Sequence, residues 1–165
     1  MSSTGKQVPL PGEKLPLVNH ADLLAQIGRS AAANRKILVL SANVHAFNLR
    51  YELAWLRALY EQADMVRLDG AGVALGYRLL GYRPPSRMTW ADLAWDLADY
   101  AQRHGLSLFF LGARPGVAEK AAAELRARHP DLRVLGTHHG YFDKSAGSAE
   151  NEAVIQQINA VKPDI

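Results

Sequence analysis

Short apolar runs alternate along this chain with longer stretches of helical periodicity, and few folds accommodate that pattern. Ile37-Leu38-Val39-Leu40 is a continuous apolar run, as expected of a strand buried on both faces. Met65, Val66 and Leu68 form another, interrupted by Arg67, and Leu106 to Leu111 and Leu132 to Leu135 supply two more. Between the runs, Asn19 to Ala33 carries an apolar stripe through Leu23, Leu24, Ile27 and Ala31, with Asn19 or Asp22 placed to cap it. Val44 to Gln62 predicts one helix with Phe47, Leu49, Leu53, Leu56, Leu59 and Tyr60 on its apolar side. Further helices are expected over Trp90 to His104, capped by Thr89 and stopped by Gly105, then over Val117 to Arg128 and Ala149 to Val161. Pro163-Asp164-Ile165 has the character of one more strand beginning. The alternation implies an α/β fold, a Rossmann-like parallel sheet with helices on both faces, in which the runs at Ile37, Met65 and Leu106 are neighbours in one sheet.

The 165 residues suit one domain over 19–165, preceded by an extended lead-in over 1–18 that is rich in proline and polar residues. There is no cysteine, which excludes disulfides and thiolate metal sites and suits a reducing cytoplasm. The net charge of +3 is spread without any basic block, so it admits an anionic ligand or lipid surface and gives no reason to expect nucleic acid. No apolar run reaches the length of a membrane-spanning helix, and the first residues lack the apolar centre of a signal peptide.

Chemistry is expected where strands hand over to helices, because ligands of open α/β sheets bind at the strands' carboxyl ends. Three such places hold small or polar residues: Ser41-Ala42-Asn43, Asp69-Gly70-Ala71-Gly72 and Gly112-Ala113-Arg114-Pro115-Gly116. Asp69 is the first candidate for acid–base work; the competing reading makes it a helix N-cap and Gly70 a turn former. At Gly112 to Gly116 glycines let backbone N–H groups approach an anion, a helix N-terminus follows and Arg114 adds charge, although many such turns are purely structural. Arg87 follows Pro84-Pro85 and precedes a helix cap, placed to clamp a diphosphate or to stand as a solvated loop charge. The histidines show no metal-ligand spacing, and adjacent His138 and His139 would point to opposite sides of a strand. Trp55, Trp90 and Trp95 fall at helical positions suited to a core or a groove lining. Neither a GxGxxG fingerprint, a Walker A loop nor a G-x-S-x-G elbow is present, which argues against a nucleotide-dependent oxidoreductase and a serine hydrolase.

Taken together, Ser41-Ala42-Asn43 with His45, Ala63-Asp64 leading to Asp69-Gly70-Ala71-Gly72, Arg87, Phe110 to Val117, Gly140-Tyr141-Phe142, and Ile158-Asn159 with Pro163-Asp164 resemble the WecB/TagA/CpsF family of bacterial glycosyltransferases. The resemblance implies inverting transfer of an N-acetylmannosamine-type sugar from a UDP-sugar to a polyprenyl-diphosphate-linked saccharide in cell-surface polysaccharide synthesis, with no cofactor and no metal. It makes Asp69 the general base and Arg87 an aid to diphosphate departure. It assigns substrate binding to Ser41, Asn43, His45, Gly70, Gly72, Gly112, Arg114, Pro115, Gly116, Gly140 and Tyr141. It further implies a cytoplasmic protein, peripheral at the inner face of the membrane, with self-association compatible with the pattern. Two departures stand out: family members usually carry glycine near the position of Trp90, and they continue past Pro163-Asp164 into a further strand, a Gly-x-Pro-x-Gln-Glu segment and a basic tail. The alternative function is a non-catalytic nucleotide-sugar-binding module.

Overall fold

The structure is a computed structural model that describes residues 8–10 and 13–165. It divides into two compact units, residues up to Ala94 and residues Trp95–Ile165. Each unit is an α/β arrangement of its own, with parallel strand pairs and seven helices in all among the described residues.

In the first unit, β1 (Val8–Leu10) and β2 (Glu13–Leu15) form an antiparallel hairpin. The rest of the expected lead-in, residues 1–7 and 11–12, lies outside the described residues. Leu17 and Val18, also assigned to the lead-in, form β3, which pairs in parallel with β5 (Met65–Leu68). On the other edge of β5 lies β4 (Val39–Ala42), also parallel, so β5 is the central strand. β4 starts two residues later than the apolar run at Ile37 suggested, because the Leu38 backbone is held by Asp64: its N–H donates to Oδ2 at 2.8 Å and its carbonyl accepts from the Asp64 N–H. Helix α1 (His20–Ala32) begins as expected, Asn19 accepting from the Asp22 N–H at 2.9 Å.

The stretch Val44 to Gln62 is two helices, α2 (Val44–Glu52) and α3 (Ala54–Glu61), broken at Leu53 with φ −112° and ψ 101°. Neither glycine nor proline forces the break. What the bend brings about is a tertiary contact: the buried Arg50 of α2 lies 4.5 Å from the ring centroid of Tyr60 in α3. Helix α4 (Ala71–Leu79) follows β5, and its Val73, Ala74 and Tyr77 join Leu17, Ala42, Tyr60, Val66 and Leu68 in the core of this unit. Helix α5 (Trp90–His104) starts on a capping box in which Thr89 and Asp92 exchange hydrogen bonds, and Gly105 at φ +66° ends it.

In the second unit β6 (Ser107–Leu111) pairs in parallel with β7 (Arg133–His138), and α6 (Val117–Arg128) and α7 (Ala149–Val161) complete the chain. Its core is Ala98, Ala101, Leu108, Ala122, Leu125, Leu132 and Val134. The expectation that β6 stands beside β4 or β5 in one sheet is corrected: no ladder joins them among the described residues. Both edges of β6 are already engaged. β7 takes one, and on the other Ile165 accepts from the Phe109 N–H at 2.9 Å and donates to the Ser107 carbonyl at 3.0 Å, so Pro163-Asp164-Ile165 does open a strand-like pairing. The core role allowed for the tryptophans also fails, since Trp55, Trp90 and Trp95 are all exposed on surfaces.

Candidate functional site

The predicted site residues fall in both units. Ser41, Asn43, His45, Asp69, Gly70, Gly72 and Arg87 belong to the first, and Gly112, Arg114, Pro115, Gly116, Gly140 and Tyr141 to the second.

In the first unit the carboxyl ends of β4 and β5 bring two strand-to-helix turns together. Asn43 is the N-cap of α2, its side-chain oxygen accepting from the Ala46 N–H at 2.8 Å. Gly70 is the N-cap of α4 and offers no side-chain bond, so the α4 N-terminus keeps its donors for another acceptor. A Cβ on Gly70 would stand 3.3 Å from both Cα and Cβ of Asn43, and one on Gly72 would meet Val44 Cγ2 at 2.9 Å. Small residues are therefore what let the two helix starts lie side by side. The Asp69 N–H donates to the Ala42 carbonyl at 3.0 Å, which carries the parallel pairing one residue past β5. His45 lies exposed in the first turn of α2, and the Ser41 carbonyl accepts from the buried Tyr60 hydroxyl, whose pKa is raised by burial against the opposing pull of Arg50 and Arg67.

Asp69 is not the cap of α4; that position is Gly70. Its carboxylate instead accepts at Oδ2 from Arg67 Nη2 at 3.2 Å, and Oδ1 accepts no hydrogen bond from the described residues. Arg67, which sequence reasoning counted only as a blemish in an apolar strand, is 1% exposed. Its Nη1 donates to the Met88 carbonyl, and its guanidinium lies 4.5 Å from the Trp90 ring centroid. Burial lowers the Arg67 pKa, opposed by the charge and hydrogen bond of Asp69. A signal was available: residues i and i+2 of a strand share a face, so Arg67 and Asp69 were bound to project together.

Arg87 is exposed, but its backbone neighbour is anchored, since the Met88 N–H donates to the Leu68 carbonyl at 2.6 Å and the Met88 carbonyl is held by Arg67. The loop is thereby fixed to the end of β5 while the Arg87 side chain reaches solvent. The Asp92 carboxyl is held low mainly by the Thr89 hydroxyl and amide, with a smaller pull from Arg87.

In the second unit the β6–α6 turn packs backbone against backbone with the turn after β7. The Gly112 N–H donates to the His138 carbonyl at 2.9 Å and the Gly140 N–H to the Ala113 carbonyl at 2.8 Å. A Cβ on Gly140 would lie 3.1 Å from Gly112 Cα. Gly112, Ala113 and Gly116 all take positive φ, at 144°, 60° and 83°, and Gly116 caps α6 without a side-chain bond. Arg114 and Pro115 stand exposed beside that open helix start. The expectation that His138 and His139 splay apart is corrected: β7 ends at His138, strand alternation stops there, and the two ring centroids are 4.5 Å apart. His138 also meets Phe142 edge-on at 5.4 Å, and these rings with Tyr141, Glu150 and Gln157 line a cavity of about 340 Å³. Lys144 donates to the Gly140 carbonyl and lies 4.6 Å from the Phe142 ring centroid, bracing the loop. Among the described residues there is no cluster of metal-ligating side chains, and no helix is long and apolar enough to cross a membrane.

An N-acetylglucosaminyldiphosphoundecaprenol N-acetyl-beta-D-mannosaminyltransferase of Bacillus spizizenii is 29% identical over 118 residues, covering 72% of this chain and 42% of that protein. A protein of the same name from Bacillus subtilis is 24% identical over 103 residues, covering 62% of this chain and 38% of that protein. The matches thus span about two fifths of the length of these relatives. The sequence model of the glycosyl transferase WecG/TagA/CpsF family matches residues 10–165, nearly the whole chain, and the protein belongs to that family.

Proposed function

We propose that this protein transfers an N-acetylmannosamine-type sugar from a UDP-sugar to N-acetylglucosaminyl-diphosphoundecaprenol or a similar lipid-linked acceptor, with inversion at the anomeric carbon. The observation that carries the reading is Asp69: a carboxylate at the end of the central strand, held by Arg67 through one oxygen and left with the other for a substrate. In the proposed step an acceptor hydroxyl oxygen attacks the anomeric carbon and its proton passes to the Asp69 carboxylate. The bond to the diphosphate oxygen breaks, and UDP leaves with the electron pair. Within the first unit the developing charge on the leaving group is met by Arg87 and by the uncapped helix start at Gly70. In this reading Ser41, Asn43, His45 and Gly72 are substrate-binding residues of the first unit, and Gly112, Arg114, Pro115, Gly116, Gly140 and Tyr141 form a separate anion- and sugar-binding surface of the second. A lipid-linked acceptor makes the cytoplasmic, membrane-peripheral placement part of the same proposal.

The test is turnover of UDP-N-acetylmannosamine with a polyprenyl-diphosphate-linked N-acetylglucosamine acceptor, followed by release of UDP. Asp69→Asn keeps the shape and one acceptor oxygen but removes the base, and should lower turnover about 10²–10⁴-fold while UDP affinity is retained. Unchanged turnover in Asp69→Asn would sink the assignment of the base. UDP binding without any turnover in the parent would favour the non-catalytic binding module.

A further inference from the structure

We infer that Arg67 is the positioning residue for Asp69, a role that rests on the proposed function of that carboxylate. A guanidinium buried to 1% exposure inside an apolar strand is costly where its donors go unused; here both terminal nitrogens are used while Nε has no hydrogen-bond partner, and the surroundings fix the group from three directions. Nη1 donates to the Met88 carbonyl, Nη2 donates to Asp69 Oδ2 at 3.2 Å, and the Trp90 ring lies 4.5 Å from Cζ. Met88 is in turn tied to the end of β5 by its own N–H, at 2.6 Å from the Leu68 carbonyl. The fork of the guanidinium thus spans from the loop that carries Arg87 to the carboxylate, and holds both in one geometry.

The side chain is suited to this and lysine is not. Arginine offers several donors in a rigid plane, so one hydrogen bond fixes the direction of the next, and its flat face stacks on an aromatic ring. An ammonium group has neither property. With Arg67 in place, the Asp69 carboxylate is restricted in rotation, and Oδ1 is the oxygen presented to a substrate. Loss of the clamp leaves the base in the site but frees it to rotate, and misplacement of a catalytic group by about 1 Å is enough to cost up to about 10²-fold in rate.

The experiment measures kcat, donor KM and UDP affinity for Arg67→Lys, Asp69→Asn and the double variant, with melting temperatures as a check on folding. Arg67→Lys is expected to lower kcat about 10- to 100-fold with donor KM and UDP affinity little changed. In the Asp69→Asn background the same change should lower kcat no further, because a residue that acts through another loses its effect when the other is gone. An equal fold-loss in both backgrounds, or a parent-like kcat in Arg67→Lys, overturns the inference. If Arg67→Lys fails to fold, Trp90→Ala takes its place: the exposed ring can be removed without opening a core, and its loss should reduce kcat only when Asp69 is present. A parent-like kcat in Trp90→Ala would then overturn the clamp. Failure of the underlying function is separate and visible, since it shows as unchanged kcat in Asp69→Asn alone.

Discussion

Asp164→Ala should loosen the second unit by an amount that the geometry around Ser107 sets. The Asp164 carboxylate accepts from the Ser107 N–H at 2.8 Å and from the Ser107 hydroxyl at 2.6 Å, and the Asp164 N–H donates back to that hydroxyl at 3.1 Å. Asp164 itself is exposed, so most of the charge is shared with solvent and the carboxylate's own desolvation adds little. Ser107 is different: at 1% exposure it is buried beneath the carboxylate, and both of its donors lose their acceptor once the carboxylate is gone. Leaving such groups without a partner costs about 1–3 kcal/mol, and with the back-bond to the hydroxyl retained we take about 2 kcal/mol. For a chain of this size that corresponds to a fall in Tm of about 4–8 °C. Asp164→Asn, which keeps an acceptor but not the charge, should lose about half as much. The pH dependence has a definite sign. The bonds from Ser107 hold the Asp164 carboxyl below its ordinary value of 3.8, so its stabilisation is fully present above that value and is lost as pH falls through the lower folded value. The gap in stability between parent and Asp164→Ala should therefore be constant from neutral pH to about 4 and close under stronger acid. Urea unfolding across that range, with hydrogen exchange read at the Ser107 amide, measures both. A Tm within about 1 °C of the parent at pH 7 would refute the reasoning.

Two further substitutions probe the turns. Asn43→Ala removes the side-chain bond to the Ala46 N–H and should cost about 1 kcal/mol in urea unfolding, with Asn43→Asp restoring most of it. Gly136→Ala would put a Cβ 2.6 Å from Phe109 Cε2, so β6 and β7 must shift or the ring must leave its rotamer. A loss of about 1–3 kcal/mol is expected, recovered in part by Phe109→Leu, and an unchanged Tm in Gly136→Ala would show that the ring moves freely.

Much of the chain could be read from its local pattern, because the forces involved act over a few residues. Helix α5 occupies Trp90–His104 as expected, since Thr89, Asp92 and Gly105 mark its ends and the periodicity lies within it. The Asn19 cap, α6 and α7 were legible for the same reason. The hand-over points after β4, β5 and β6 were legible too, being small and polar residues directly after apolar runs, and they located Asn43, Asp69, Gly70 and Gly112.

Other features depended on partners distant in sequence. Nothing within Leu53 foretells the break between α2 and α3, which accompanies the meeting of Arg50 with Tyr60. The neighbours of β6 were not legible because a strand's two edges are chemically alike along the sequence, and which segment reaches them first is a matter of the whole chain: here β7 and Ile165 did. By side-chain type alone, Arg67 is out of place in a buried strand. It becomes intelligible once Met88 and Trp90, brought from a later loop and helix, supply the acceptor and the ring that make a buried guanidinium tolerable. Local periodicity decides which segments are strands and helices. Hydrogen-bonding edges and buried charges are settled by contacts between segments, and those exist only after the chain has folded.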